Sequence, residues 1–256
     1  MKILSIGNSF SGDMQTYVHQ IAEAVGKDFT VVNAFVGGCS MQMHVEQYQN
    51  DLPCYTMQKN GKTVARGLLL REFLLSDTFD VVTVHSGTKG WQETGHLPTA
   101  IPWLEKLLEI IALYQKKATV VTLTSWSDGE NSARPVFTEL FGGDREAMVK
   151  ARMEQTRELI EDCGMKRMIP SGEALHLAYE TFGTRMHRDG AHCSELGRYL
   201  QACLWLEYFT GIPAPEDFVP AGFSYAENAA PAPTEEERRA LREYARRALA
   251  ANPYPF

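Results

Sequence analysis

Two short strings at opposite ends of the chain carry residue types that could perform acyl transfer together. Ile6-Gly7-Asn8-Ser9-Phe10-Ser11 places a serine just past an apolar run, and Asp189-Gly190-Ala191-His192 places a carboxylate and an imidazole three residues apart. A serine hydroxyl becomes a nucleophile when an imidazole removes its proton. The imidazole in turn needs a carboxylate to fix its tautomer and balance its charge. Each string also has a plainer reading. Ser9 or Ser11 can simply cap a following helix, Asp189-Gly190 is an ordinary turn pair, and His192 can be a polar residue at the start of a helix. Taken in this order, the two strings suggest a serine hydrolase assembled from both ends of the chain.

Such residues must be positioned by strands and helices, and the pattern between them predicts both. Apolar runs at residues 2–6, 29–36, 80–84 and 118–124, with a weaker one at 165–169, are rich in β-branched residues and read as strands buried on both faces. Helical spacing is predicted over 14–25, 102–114, 145–163 and 194–209, the last with Ser194 as N-cap and Gly211 as stop. Alternating strands and helices indicate a doubly wound α/β domain, in which ligands gather at the carboxyl ends of the strands. Ser9, Gly37-Gly38, the segment 85–91 and the segment 125–128 all fall at such ends. Two segments break the rhythm. Residues 53–67, with Asn60-Gly61 at their centre, predict a β-hairpin insertion, and residues 126–143 predict a long polar loop. Residues 1–228 read as one domain, and residues 229–256 as a linker followed by an amphipathic helix that packs on it.

Composition narrows the function further. A net charge of −7 over 256 residues argues against a nucleic-acid partner, which would call for clustered Lys and Arg. The arginine pairs at 238–239 and 246–247 alternate with glutamates and read as a solvated helix face. No apolar run approaches the roughly 20 residues that span a bilayer, and the first six residues lack the features of a signal peptide. A cytoplasmic protein is therefore expected if Met1 is its native start, and a secreted one if a leader was removed. Cys39, Cys54, Cys163, Cys193 and Cys203 are odd in number and none forms a C-x-x-C pair, so neither a zinc site nor a disulfide framework is indicated.

Gly-Asn-Ser-Phe-Ser after the first run, Gly-Gly-Cys-Ser after the second and Asp-Gly-Ala-His-Cys-Ser-Glu-Leu-Gly-Arg-Tyr at the last helix resemble the blocks of the GDSL/SGNH hydrolase superfamily. The likeness spans residues 2 to about 211. Gly197 and Tyr199 match the usual continuation after the histidine, which makes the final block the most specific. The resemblance implies a flavodoxin-like three-layer α/β/α sandwich with a central five-stranded parallel sheet. It further implies an esterase or lipase working through an acyl-enzyme, with no metal or organic cofactor, and an O-acetyl group on a carbohydrate as substrate. Ser9 would be the nucleophile, His192 the base and Asp189 its partner. The backbone N–H groups of Ser9 and Gly38 would hold the oxyanion.

The chain departs from the family pattern in two places. Asn8 stands where an Asp is usual. The third block should supply an Asn side chain to the oxyanion, yet its aligned position is Lys89, within His85-Ser86-Gly87-Thr88-Lys89-Gly90-Trp91. Loss of one such donor costs roughly 10²–10³ in rate unless it is replaced. His85, Thr88 and Lys89 are candidates, and His85, directly at the strand end, is the choice made from sequence. Trp91 and Trp126 could stack on a sugar ring, with buried loop anchors as the alternative, and His44 could reach the crevice from six residues past Gly38. The partner expected is a small-molecule or carbohydrate ester, with neither nucleic acid nor membrane; oligomeric state is left open. Two rivals follow from the same residues. One is an SGNH-fold carbohydrate-binding protein with little or no turnover, suggested by the missing Asn. The other is a phosphate-binding loop at residues 7–11, which lacks both Gly-x-Gly-x-x-Gly and a Walker lysine.

Overall fold

Every residue from Ile3 to Gly7 is buried in strand β1 (Lys2–Gly7), because sheet neighbours and helices enclose it on all sides. The structure is a computed structural model that describes residues 1–85, 87, 92, 95, 97, 100–221 and 231–256. Among these, the further strands are β2 (Thr30–Phe35), β3 (Tyr55–Lys59), β4 (Lys62–Leu68), β5 (Val81–His85), β6 (Thr119–Leu123) and β7 (Met168–Ile169). They form a single sheet in the order β4-β3-β2-β1-β5-β6-β7. The five strands β2, β1, β5, β6 and β7 are parallel, as expected. The hairpin β3–β4 does not stand apart from them. It pairs antiparallel with β2 and widens the sheet to seven strands. Its turn places Asn60 and Gly61 at φ 51° and 80°, the left-handed pair that a two-residue hairpin requires.

Helices cover both faces, giving the three-layer α/β/α sandwich. On one face lie α1 (Ser9–Gln15), α2 (Val18–Ala24), α7 (Ser171–Phe182), α8 (Glu195–Thr210) and α9 (Glu235–Ala250). On the other lie α3 (Met41–Gln49), α4 (Leu70–Ser76), α5 (Ile101–Tyr114) and the end of α6 (Arg145–Asp162). Helix α8 is buried nearly all round, because α9 lays Leu241, Ala245 and Ala248 over its outer side. The helix predicted over 14–25 is two helices, and the first begins at Ser9, five residues earlier than its apolar spacing indicated. Helices α3, α4 and α7 were not anticipated. The segment 126–143 is less polar than expected, since it buries Trp126, Val136 and Phe137 around a π-helical turn, Val136–Leu140. No disulfide joins the five cysteines. No helix among the described residues is long and apolar enough to cross a membrane.

One buried carboxylate locks α1 to the segment that leads into α8. Asp13 is 1% exposed. It accepts hydrogen bonds from Arg188 Nη1 at 2.7 and 2.9 Å, from Arg198 Nε at 3.0 Å and from the Cys193 amide at 3.0 Å. Removing one member of a buried ion pair leaves the other charge uncompensated and costs about 3–5 kcal/mol. Asp13→Ala should therefore lower the free energy of unfolding by about that amount. Urea unfolding should read it as a lower midpoint with an unchanged slope, and a variant within about 1 kcal/mol of the parent would refute the lock.

Candidate active site

The chain leaves β1 at Gly7 and turns at once into α1. Asn8 is the N-cap of this helix, with its side-chain oxygen accepting from the Phe10 amide at 2.9 Å. Capping by Ser9 is thereby set aside, and the Ser9 hydroxyl is directed elsewhere. Ser11 is not the cap either; its hydroxyl donates to the Asn8 carbonyl at 2.7 Å. Gly7 is needed here, since a Cβ would stand 2.8 Å from His85 Cε1 and closer still to Ser11 Oγ.

The Ser9 hydroxyl meets His192 Nε2 at 2.8 Å, and His192 Nδ1 meets Asp189 Oδ2 at 2.7 Å. A carboxylate can only accept, so Nδ1 carries the hydrogen and Nε2 is free to accept from Ser9. Asp189 Oδ1 also accepts from the amides of Ala191 and His192, at 3.0 and 2.8 Å. Burial pushes the Asp189 carboxyl upward, but these two amides and the imidazole outweigh it and hold it at about 2. The loop is closely packed at two glycines. Gly190 has φ +82°, and a Cβ there would lie 2.7 Å from Ser132 Cα. Gly197 brings α8 so close that a Cβ would meet Cys193 Sγ at 2.8 Å, and Tyr199 stacks on Phe218 in the core. Gly197 is thus a packing residue that seats the loop, and Tyr199 anchors α8 in the core.

A second turn faces Ser9. Gly38 lines the cleft at φ +64°, a conformation that favours glycine. Asn8 Nδ2 donates to the Cys39 carbonyl at 2.9 Å and so ties this turn to the start of α1. His85, the sequence choice for the missing oxyanion donor, does not line the cleft. It is buried behind Asn8 and donates from Nε2 to Asn8 Oδ1 at 3.0 Å. Because that oxygen can only accept, the proton sits on Nε2 and Nδ1 is a bare acceptor. His85 therefore supports Asn8 and is not itself a donor to the substrate.

Two expected substrate contacts are likewise corrected. Trp126 is 1% exposed; it stacks on Phe10 with centroids 4.4 Å apart and donates from Nε1 to the Ala191 carbonyl at 2.8 Å. It is a beam beneath the histidine loop. His44 is buried against Tyr55, with Nδ1 2.9 Å from its hydroxyl, and does not reach the cleft. Trp91, Thr88 and Lys89 lie outside the described residues.

The cleft, of about 270 Å³, is lined by Asn8, Ser9, Phe10, Gly38, Gly87 and His192, together with Arg134 and Arg152. Sequence reasoning missed both arginines. A signal was present for Arg152. It shares the inward face of α6 with Met148, Gln155 and Leu159, so a charge falls at a position whose neighbours are buried. Arg134 has its own partner: it donates to the buried Asp128 at 2.8 Å, and Ser132 Oγ takes the other carboxylate oxygen at 2.8 Å.

Residues 2–229 match the family described as Domain of unknown function (DUF4886). A crystal structure of a DUF4886 family protein from Bacteroides uniformis is 25% identical at a TM-score of 0.84, covering 100% of this chain and 97% of that one. A member of the lipolytic protein G-D-S-L family from Veillonella parvula is 18% identical, with a TM-score of 0.51 over 83% of this chain and 100% of its own. A lipase/acylhydrolase from Enterococcus faecalis is 15% identical, with a TM-score of 0.51 over 84% and 98%. The fold is thus that of the GDSL/SGNH hydrolases. None of the curated proteins matches the chain.

Three histidines around the site make stability depend on pH. His44, His85 and His187 are buried, and burial lowers them to about 3, 4 and 4; the charges of His85, Arg152 and Arg145 respectively add to this. Unfolded histidine titrates near 6.5. Between these values the unfolded chain binds more protons than the folded one, so stability rises with pH through this window and is lost as pH falls below about 6.5. Each histidine should remove on the order of 1.4 kcal/mol per pH unit. Asp189 acts in the same sense but only at lower pH, losing its contribution as pH falls from about 4 towards 2. Urea unfolding at pH 7, 6 and 5 should give steeply falling free energies, whereas equal values at pH 7 and 5 would refute buried neutral imidazoles.

Proposed function

The chain belongs to the DUF4886 family, and we propose that it is a serine hydrolase of small esters, with short acyl groups such as acetyl. The observation that carries this reading is the continuous relay Ser9 Oγ–His192 Nε2–Asp189, with contacts of 2.8 and 2.7 Å at the mouth of the cleft. The likeness of fold to lipolytic hydrolases is consistent with it. A cleft of about 270 Å³ supports a short acyl chain. The expectation of a carbohydrate alcohol rests on the resemblance, and the burial of Trp126 removes one of the aromatic platforms that favoured it.

The chemistry follows from the relay. His192 Nε2 takes the proton of Ser9 as Oγ attacks the acyl carbon, and Asp189 balances the imidazolium that forms. The carbonyl electron pair moves onto oxygen, where the amides of Ser9 and Gly38 are the proposed donors. Collapse of the tetrahedral intermediate breaks the bond to the alcohol, which leaves with the proton from His192. A water then attacks the acyl-Ser9 ester with His192 again as base, releasing the acid and restoring the hydroxyl. Ser9→Ala should lower kcat on 4-nitrophenyl acetate by at least about 10³-fold with an unchanged circular-dichroism spectrum. A fluorophosphonate should label the parent stoichiometrically at Ser9. Undiminished turnover in the variant, or a parent that turns over no ester and takes no label, would overturn the proposal; the latter would favour a binding protein of the same fold.

A further inference from the structure

Among the described residues, the guanidinium of Arg152 is buried at the cleft without an ion-pair partner. The residue is 2% exposed, and no carboxylate among the described residues forms an ion pair with it. Its Nε has no hydrogen-bond partner. The carboxylate that acts on it electrostatically among the described residues is Asp128, whose two oxygens are already engaged by Arg134 and Ser132. Burial lowers the guanidinium to about 10, with Asp128 opposing and Arg134 adding, so it remains cationic at neutral pH. Arg134, Arg152 and Asp128 together leave one positive charge beside Ser9 and His192. Proteins rarely keep a buried charge unpaired, since desolvation costs several kcal/mol per ion. A ligand that brings the missing negative charge would relieve that cost.

We propose that Arg152 is an anion-recognition residue, and that the substrate is an acetyl-type ester whose alcohol half carries a carboxylate. This deepens the ester-hydrolase reading and rests on it. A carboxylate suits the site because a planar guanidinium binds it with two parallel hydrogen bonds, and because a monoanion matches a single uncompensated charge. An acetyl group carries no ionisable substituent, so the anion of an acetyl-type ester lies on its alcohol half.

The test compares 4-acetoxybenzoate with its neutral isostere 4-acetoxybenzamide on the parent protein. The amide is the better leaving group chemically, so a preference for the carboxylate cannot come from reactivity. The parent should favour 4-acetoxybenzoate by at least about tenfold in kcat/KM, mostly through KM. Arg152→Gln should bring that ratio close to one, and Arg152→Lys should retain part of it. A parent ratio near one overturns the proposal without any variant. A ratio that survives in Arg152→Gln overturns it too, as does an equal fall in kcat for both esters, which would make Arg152 an oxyanion donor instead. Calorimetric titration of Ser9→Ala with 4-acetoxybenzoate provides a readout independent of turnover. Binding that weakens at least about tenfold when Arg152→Gln is added supports the anion site even if no ester is hydrolysed, in which case only the hydrolase reading fails. Equal binding with and without Arg152 overturns the site whatever the turnover.

Discussion

The Asp13 carboxylate is the constraint through which the two ends of the chain become one site. Ser9 lies four residues before it on α1, while His192 precedes Cys193, whose amide donates to Asp13. Arg188 also gives a hydrogen bond to the Cys193 carbonyl at 2.6 Å, so the carboxylate and the guanidinium grip the loop from both sides of one residue. Arg198 extends the grip into α8, where Glu195 accepts from its Nη1 at 2.6 Å. The Asp13–Arg198 pair is charged and buried, which makes the arrangement intolerant of partial assembly. Hydrophobic packing alone would leave α1 free to slide by fractions of an ångström against the loop. A 2.8 Å contact between Ser9 and His192 does not survive such slack.

Asn8 has the same role on the opposite side of the serine. Its amide caps α1, receives His85 and holds the Cys39 carbonyl, so every lone pair and proton of that side chain that matters is directed by a neighbour. The usual Asp of this position would present two acceptor oxygens and no donor, and could not make the bond to Cys39. His85 fits this substitution. As the Nε2–H tautomer it supplies a donor where the asparagine offers its oxygen. The departure at residue 8 and the unexpected histidine at residue 85 are thus two halves of one hydrogen-bonded unit.

The parts of the site that were legible in the sequence are those encoded over short distances. Asp189 and His192 are linked through the amides of their own loop, and Gly197 is explained by its packing on Cys193 next to that loop. The strands were legible because runs such as Val81–Val84 are buried on both faces, and Asn60-Gly61 betrayed the hairpin by its turn chemistry. What sequence could not convey was the direction of a side chain at a strand end. Trp126 stands where a sugar platform would stand, yet its N–H is taken by the Ala191 carbonyl and its ring by Phe10. His85 faces Asn8 for a similar reason. Asp13 and Arg188 meet across 175 residues, a distance at which a single sequence carries no pairing information.

Arg152 shows how the electrostatics of the cleft are divided. An arginine on the inward face of a helix beside Met148 and Leu159 could be exchanged for a large apolar residue, and such exchanges at buried charges are often neutral or stabilising. Keeping it is a local conflict between fold and charge, and conflicts of this kind concentrate where ligands bind. The surroundings do not soften it. His85, within electrostatic reach, is held neutral partly by Arg152 itself, and Asp128 already serves Arg134. The negative charge of the relay sits instead on Asp189, whose side chain is half exposed and bound to the imidazole. A positive interior and a negative rim suit a reaction in which oxygen gains negative charge inside the cleft while the imidazole becomes positive beside Asp189. The positive interior orients the carboxylate of the proposed substrate before any bond is broken.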